Sequence, residues 1–184
     1  MARAAFLDRD GVINRKARKG EYVTRWEEME ILPGVSEAIA LLNEAGYRVI
    51  VVSNQRCVAK GLITTAELEV LHRRLCETLA STGATIDTIY YCPHEKQPPC
   101  LCRKPQPGML LDAARAHDID LAASWMIGDS DSDVEAGRRA GCKTARLLSS
   151  DERPNRNADV AAPSLRGVID EILRQSPCDG SRAE

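Results

Sequence analysis

The sequence predicts one doubly wound α/β domain built on a parallel, Rossmann-like sheet. Three observations lead to it. Short apolar, β-rich runs recur along the chain, stretches of helical apolar spacing separate them, and carboxylate or hydroxyl residues stand where several runs end. Strands alternating with helices of ten or more residues imply βαβ units, and hence parallel strands with crossovers of one hand. Ligands of such sheets bind in the crevice at the carboxyl ends of the strands.

The first run, Ala4–Leu7, breaks into a loop at Asp8-Arg9-Asp10-Gly11. Pro33-Gly34 punctuates the start of a first helix, on which Val35, Ile39 and Leu42 recur at three to four residues, and Gly46 stops it. A second strand over 47–52 runs into Ser53-Asn54-Gln55. Thr65 then opens a helix with Leu68, Leu71, Leu75 and Leu79 on one face, ended at Gly83. A third strand is predicted over 86–91. The third helix runs from about Pro107 through Leu110, Leu111 and Ala114 to His117, with proline well placed in its first turn. A fourth strand over 125–127 ends at Gly128-Asp129, a helix follows Asp131 and stops near Gly141, and a weaker strand is expected over 144–148. The last helix is expected over about 164–174. The domain should span 1–174, with the polar residues 175–184 a disordered tail.

The 184 residues, 43% of them hydrophobic, carry a net charge of -2. That balance leaves no basic footprint for capturing nucleic acid. The apolar stretch after Met1-Ala2-Arg3 is too short for a signal-peptide core or a membrane span, so the expectation is a cytoplasmic protein with no membrane partner. Seven cysteines are an odd count, and three of them crowd into residues 92–102. This looks like metal ligation rather than a disulfide framework.

Two segments carry chemistry. Asp8 and Asp10, two positions apart at a strand end, can divide one job between a nucleophile and a proton carrier. Asp-x-Asp-Gly also begins calcium loops and plain turns. Against calcium, Val12, Ile13 and Asn14 follow, and no Glu stands at the twelfth position. Because Asp8, Ser53 and Asp129 all fall at predicted strand ends, three distant segments can converge on one pocket. The second segment is Cys92-Pro93-His94 with Cys100-Leu101-Cys102. Three thiolates and an imidazole within eleven residues match a closed, structural Zn²⁺ set of Cys92, His94, Cys100 and Cys102. Buried cysteines can instead pack as small apolar residues. Here Pro93, Lys96, Gln97, Pro98 and Pro99 make a polar, kinked loop without a core of its own.

Asp8-Arg9-Asp10-Gly11, Ser53-Asn54-Gln55, Arg103-Lys104-Pro105 and Gly128-Asp129-Ser130-Asp131-Ser132-Asp133 follow the order of the four motifs of haloacid dehalogenase (HAD) superfamily phosphatases. The resemblance covers roughly residues 4–148 and is similar in detail to D,D-heptose 1,7-bisphosphate phosphatases and histidinol-phosphate phosphatases, which also carry a short zinc loop. It implies a HAD core and a Mg²⁺-dependent phosphomonoester hydrolase acting on a small phosphorylated sugar, D-glycero-D-manno-heptose 1,7-bisphosphate foremost, as a monomer. The segments between motifs are used up by sheet, helix and zinc loop, so no separate cap domain is expected. Asp8 would form the aspartyl phosphate, and Asp10 would protonate the leaving oxygen and then deprotonate water. Asp8, the Asp10 carbonyl and Asp129 would hold Mg²⁺, and Lys104 would add a second positive charge. Ser53 would hold phosphoryl oxygens with its neighbours Asn54 and Gln55, although a strand-to-turn junction also uses Ser-Asn. Asp133 is the supporting acid by family spacing, and Asp131 can equally be a helix cap.

Substrate selection should then fall to loops. Arg103 suits a bidentate contact with the non-reacting phosphate, or else is a solvated arginine. The run Arg15-Lys16-Ala17-Arg18-Lys19-Gly20-Glu21-Tyr22 holds four cations in five residues, which usually means a solvated face. Arg18, Lys19 and Tyr22 are nevertheless the substrate contacts expected from it, together with Arg56, which with Cys57 replaces the Ser-Gly common in relatives. The rivals are histidinol phosphate, a polynucleotide end, and a zinc-stabilised binding module without turnover. One Phe and two Trp offer little for stacking bases.

Overall fold

The apolar run Ala4–Leu7 becomes strand β1, all four residues fully buried because it lies at the middle of the sheet. The structure, a computed structural model, describes residues 1–149 and 157–175. Among them the further strands are β2 (Arg48–Asn54), β3 (Thr88–Cys92), β4 (Trp125–Gly128), β5 (Lys143–Leu147) and β6 (Val160–Ala162). All pair in parallel in the order β3-β2-β1-β4-β5-β6. The chain builds outward from β1 to one edge, returns to β4 on its other side, and builds outward again. Such a reversal of strand order marks the binding crevice of an open α/β sheet.

The helices are α1 (Val35–Glu44), α2 (Thr65–Ala80), α3 (Gly108–His117), α4 (Asp131–Ala140) and α5 (Leu165–Gln175). Successive strand residues point to opposite faces, so β1 feeds two cores at once. Ala5 and Leu7 pack with Ile39 and Leu42 of α1, Leu75 and Leu79 of α2, and Val168 and Ile172 of α5. Ala4 and Phe6 pack on the other side with Met109 and Leu110 of α3 and Ala136 of α4. Each of the larger side chains, the Leu, Ile, Val, Phe and Met residues, contributes about 1.5–3 kcal/mol by leaving water. The first half of α2 has a different duty. Leu68 and Leu71 join Val23, Met29, Cys57 and Ile63 in a small cluster beneath the loops at the strand ends.

The sheet and helices occupy the described residues without a further domain among them. Strand β2 runs through Ser53 to Asn54, past the predicted end, and β3 is shifted to take in Cys92. Strand β6 was not predicted. Its three residues, Val-Ala-Ala, carry too little alternation to declare a strand, and Pro163 follows immediately. Gln175, placed in the expected tail, completes α5, and residues 176–184 lie outside the described residues.

Candidate active site and metal-ligand cluster

Asp8 follows β1, Ser53 is the penultimate residue of β2, and Asp129 follows β4, so the three expected strand-end residues meet at the carboxyl ends of adjacent central strands. The Asp8 amide donates to the Ile127 carbonyl at 2.9 Å, which ties the β1 and β4 ends together. A cavity of about 390 Å³ opens there, lined among others by Asp8, Asp10, Ser53, Asn54, Lys104 and Asp133.

Lys104 is the pivot of the site. Its ammonium lies 2.9 Å from Asp8 and 2.6 Å from Asp133, and donates to the Val52 carbonyl at 2.7 Å. Burial opposes its charge, but Asp133 and Asp8 outweigh that and raise its pKa, so it stays an ammonium. Asn54 fixes its backbone from both sides: Lys104 N–H donates to Asn54 Oδ1 and Asn54 Nδ2 donates to the Lys104 carbonyl, each at 3.1 Å. Asp133 in turn is held by α4. Its Oδ2 accepts from the Ser130 amide at 3.0 Å and the Ser130 hydroxyl at 2.5 Å, a capping box at the helix start. The cap is therefore Ser130 rather than Asp131, which is the first helical residue and pairs with Arg146.

The two aspartates of the first motif sit in opposite environments. Asp8 is buried, which pushes its carboxyl up to about 7; Lys104 pulls it down, while the charges of Asp133 and Asp10 add to the rise. For Asp10 burial acts in the same upward sense, but Arg9 and the hydrogen bonds from Asn14, Arg9 and Gln55 prevail and lower it. Arg9 donates to Asp10 through Nε at 3.3 Å and through Nη2 at 2.9 and 3.0 Å, with Asn14 adding 3.0 Å and Gln55 2.9 Å. Gln55 also donates to Ser53 Oγ at 2.8 Å, so one amide sets both the hydroxyl and the carboxylate.

Arg9, fully buried, was not foreseen as a site residue. Its Nη1 lies 3.1 Å from His72 Nε2, and burial together with Arg9 drives the His72 pKa down to about 3. The neutral ring thus accepts from the guanidinium. Lys16 was also not singled out from its run, yet its Nζ reaches both oxygens of Asp129, at 3.0 and 2.7 Å.

The expected substrate contacts divide. Arg18, Lys19, Tyr22, Arg103 and Gln55 line the cavity. Arg56 does not. It is paired through Nε and Nη2 with the Glu95 carboxylate of the cysteine loop, and the sequence showed its charge without that partner, 39 residues away.

Cys92, His94, Cys100 and Cys102 gather in one cluster, and Asp8 and Asp129 gather with Asp133, the expected supporting acid. Oxygens of Asp8, Asp129 and Asp133 lie within 4.8 Å of one another. These hard donors suit a hard divalent cation. The chain is pressed close here: a Cβ added at Gly11, where φ is +96°, would stand 2.2 Å from Asp129 Oδ2. In the loop after β3, Cys92 Sγ lies 3.6 Å from His94 Nδ1 and 3.5 Å from Cys100 Sγ, and Cys102 Sγ lies 3.2 Å from His94 Nδ1 and 3.5 Å from Cys100 Sγ. Those edges are close to what a tetrahedral N/S site with Zn–S of about 2.3 Å requires. Burial and then hydrogen bonds with Cys92 and Cys100 push the Cys102 thiol far up, while hydrogen bonds outweigh burial to bring Cys100 down to about 7. A bound cation would share the charge of these sulfurs and favour their thiolate forms. Cys92 pairs with Asn54 in the β2–β3 register, so the cysteine loop starts beside the residue that pins Lys104.

The comparisons with known proteins agree with this geometry. A family model described as HAD-hydrolase-like matches residues 101–173. A Pseudomonas aeruginosa D-glycero-beta-D-manno-heptose-1,7-bisphosphate 7-phosphatase is 42% identical over 173 residues, covering 91% of this chain and 96% of that one. A Mycobacterium bovis D-glycero-alpha-D-manno-heptose-1,7-bisphosphate 7-phosphatase is 45% identical over 166 residues, covering 90% and 83%. Among solved structures, the D,D-heptose 1,7-bisphosphate phosphatase of B. bronchiseptica, complexed with magnesium and phosphate, superposes with a TM-score of 0.84 at 34% identity over 95% of this chain and 99% of that one. Likeness of that extent, on a fold whose strand ends gather the four motifs, settles the family: the chain belongs to the heptose 1,7-bisphosphate phosphatase branch of the HAD-like hydrolases, and it is a phosphatase.

Proposed function

We propose that this phosphatase removes one phosphate, the 7-phosphate, from D-glycero-D-manno-heptose 1,7-bisphosphate through an aspartyl phosphate on Asp8. The observation that carries the reading is the buried Lys104 ammonium, 2.9 Å from Asp8 and 2.6 Å from Asp133, at the head of a cavity rimmed by further cations. A nucleophilic carboxylate can accept a dianionic phosphoryl group only where positive charge is already in place.

Asp8 attacks phosphorus in line, and the bond from phosphorus to the sugar oxygen breaks. Asp10 gives that oxygen its proton, then takes one from the water that attacks the aspartyl phosphate, releasing inorganic phosphate and restoring Asp8. Lys104 and the Ser53 hydroxyl hold the phosphoryl oxygens, with Gln55 and Asn54 keeping those two groups aimed. Asp8, the Asp10 carbonyl and Asp129 would hold Mg²⁺, which when bound supplies charge neutralisation on the phosphoryl group. Cys92, His94, Cys100 and Cys102 would hold Zn²⁺ with no open position, in a structural role. Arg103, Arg18 and Lys19 meet the second phosphate and Tyr22 the sugar. The reading includes a cytoplasmic monomer acting on a diffusible sugar phosphate, with neither nucleic acid nor membrane as partner.

Phosphorus NMR of heptose 1,7-bisphosphate with the enzyme and Mg²⁺, alongside histidinol phosphate, tests the substrate. Loss of the 7-phosphate resonance with the 1-phosphate retained is expected. Faster turnover of histidinol phosphate would overturn the assignment.

A further inference from the structure

Lys16 occupies both oxygens of Asp129, at 3.0 and 2.7 Å, and its charge also feels Asp8 and Asp133. The effect on access is visible in the cavities. Lys16 lines the 390 Å³ cavity along with Asp8 and Asp133, whereas Asp129 borders a separate recess of about 320 Å³ with Gly11 and Val12. The lysine that holds Asp129 thus faces the cavity where phosphate would enter, beside Asp8 and Asp133.

A carboxylate engaged through both oxygens by an ammonium is not free to coordinate a divalent cation, and a cation close enough to bind it would face a like charge at short range. We propose that Lys16 and the divalent cation compete for Asp129, so that cation binding releases the basic loop 15–22 and hands the Lys16 ammonium to the substrate's phosphoryl oxygens. The inference rests on the assignment of Asp129 as a cation ligand.

The loop is built for such an exchange. Arg15 at its base is anchored to Glu30 at 2.6 Å, and the Tyr22 ring at its far end carries the Lys60 ammonium at 5.6 Å. Between these anchors, Lys16 bridges the loop to the β4 end. Its side chain is 57% exposed and that of Asp129 18%, so the pair is weak enough to be exchanged and strong enough to bias the loop. Linkage makes the effect mutual: whatever affinity the lysine takes from the cation, the cation takes from the loop contact.

The test is calorimetric titration with Mg²⁺ alone, without substrate, on the full chain and the variants Lys16→Met, Lys19→Met and Asp129→Asn. Lys16→Met should bind Mg²⁺ about three- to tenfold more tightly than wild type, and Lys19→Met, which removes the same charge from the same cavity, should bind as wild type does. Hydrogen exchange of the amides at 15–22 should quicken on Mg²⁺ saturation in wild type and not in Lys16→Met. Unchanged or weaker binding by Lys16→Met, equal tightening by Lys19→Met, or loop exchange indifferent to Mg²⁺ would overturn the competition. Binding by Asp129→Asn as tight as wild type would instead sink the cation assignment beneath it.

Discussion

Lys104 and Asp133 form an ion pair at 2.6 Å in which each side chain is only 1% exposed. Taking two charges out of water costs several kcal/mol per ion, so such a pair contributes little net stability, but losing one partner strands the other. Lys104→Met leaves Asp133 and Asp8 facing each other without a cation, and should cost about 3–5 kcal/mol in urea unfolding. Adding Asp133→Asn should restore much of that stability and none of the phosphatase activity. Additive losses in the double variant would show that the two residues are not coupled.

The cysteine loop gives a prediction about metal removal. The purified chain should contain about one zinc, and a strong chelator should lower the melting temperature and abolish turnover, with Mg²⁺ unable to restore it. Activity should return on adding Zn²⁺ after the chelator is removed. The physical link is short: Cys102 is two residues from Lys104, whose backbone is already paired with Asn54. Full activity in a zinc-free protein would separate the loop from the site.

His72 makes stability depend on pH in a definite direction. Burial and then Arg9 hold its folded pKa near 3, below the ordinary value of 6.5, so the unfolded chain binds the extra proton first. The stability tied to the neutral ring is complete above about 6.5 and is lost as pH falls toward 3. Relative to wild type, His72→Asn should be most destabilised at neutral pH, with the gap closing on acidification. Parallel curves from pH 7 to pH 4 would mean that the ring is not held neutral against Arg9.

How far the sequence could be read follows from what each residue depends on. Asp8, Ser53 and Asp129 were legible because a strand-to-loop boundary is local, and each boundary carries its own reactive side chain. The cysteine cluster was legible for a similar reason, since three Cys and one His within eleven residues are bound to lie close in any fold of that loop. Arg9 was not. An arginine between two aspartates reads as a solvated charge, and its complete burial depends on His72, 63 positions away, accepting from Nη1. Lys16 was hidden in a run of cations that all look alike until Asp129, 113 positions on, selects one of them. The partner of Arg56 was hidden in the same way, because Glu95, 39 positions on, pairs with its guanidinium. Local chemistry is written in local sequence, and charge pairing across the fold is not.

Phosphate release by Asp8→Asn decides whether Asp8 is the nucleophile. The asparagine keeps the shape of the side chain while removing its capacity to carry a phosphoryl group. With heptose 1,7-bisphosphate and saturating Mg²⁺, the variant should turn over at least ~10³-fold more slowly than wild type, in keeping with loss of a group that acts only in the transition state. Turnover within tenfold of wild type, from a variant with an unchanged melting temperature, would show that Asp8 is not the nucleophile.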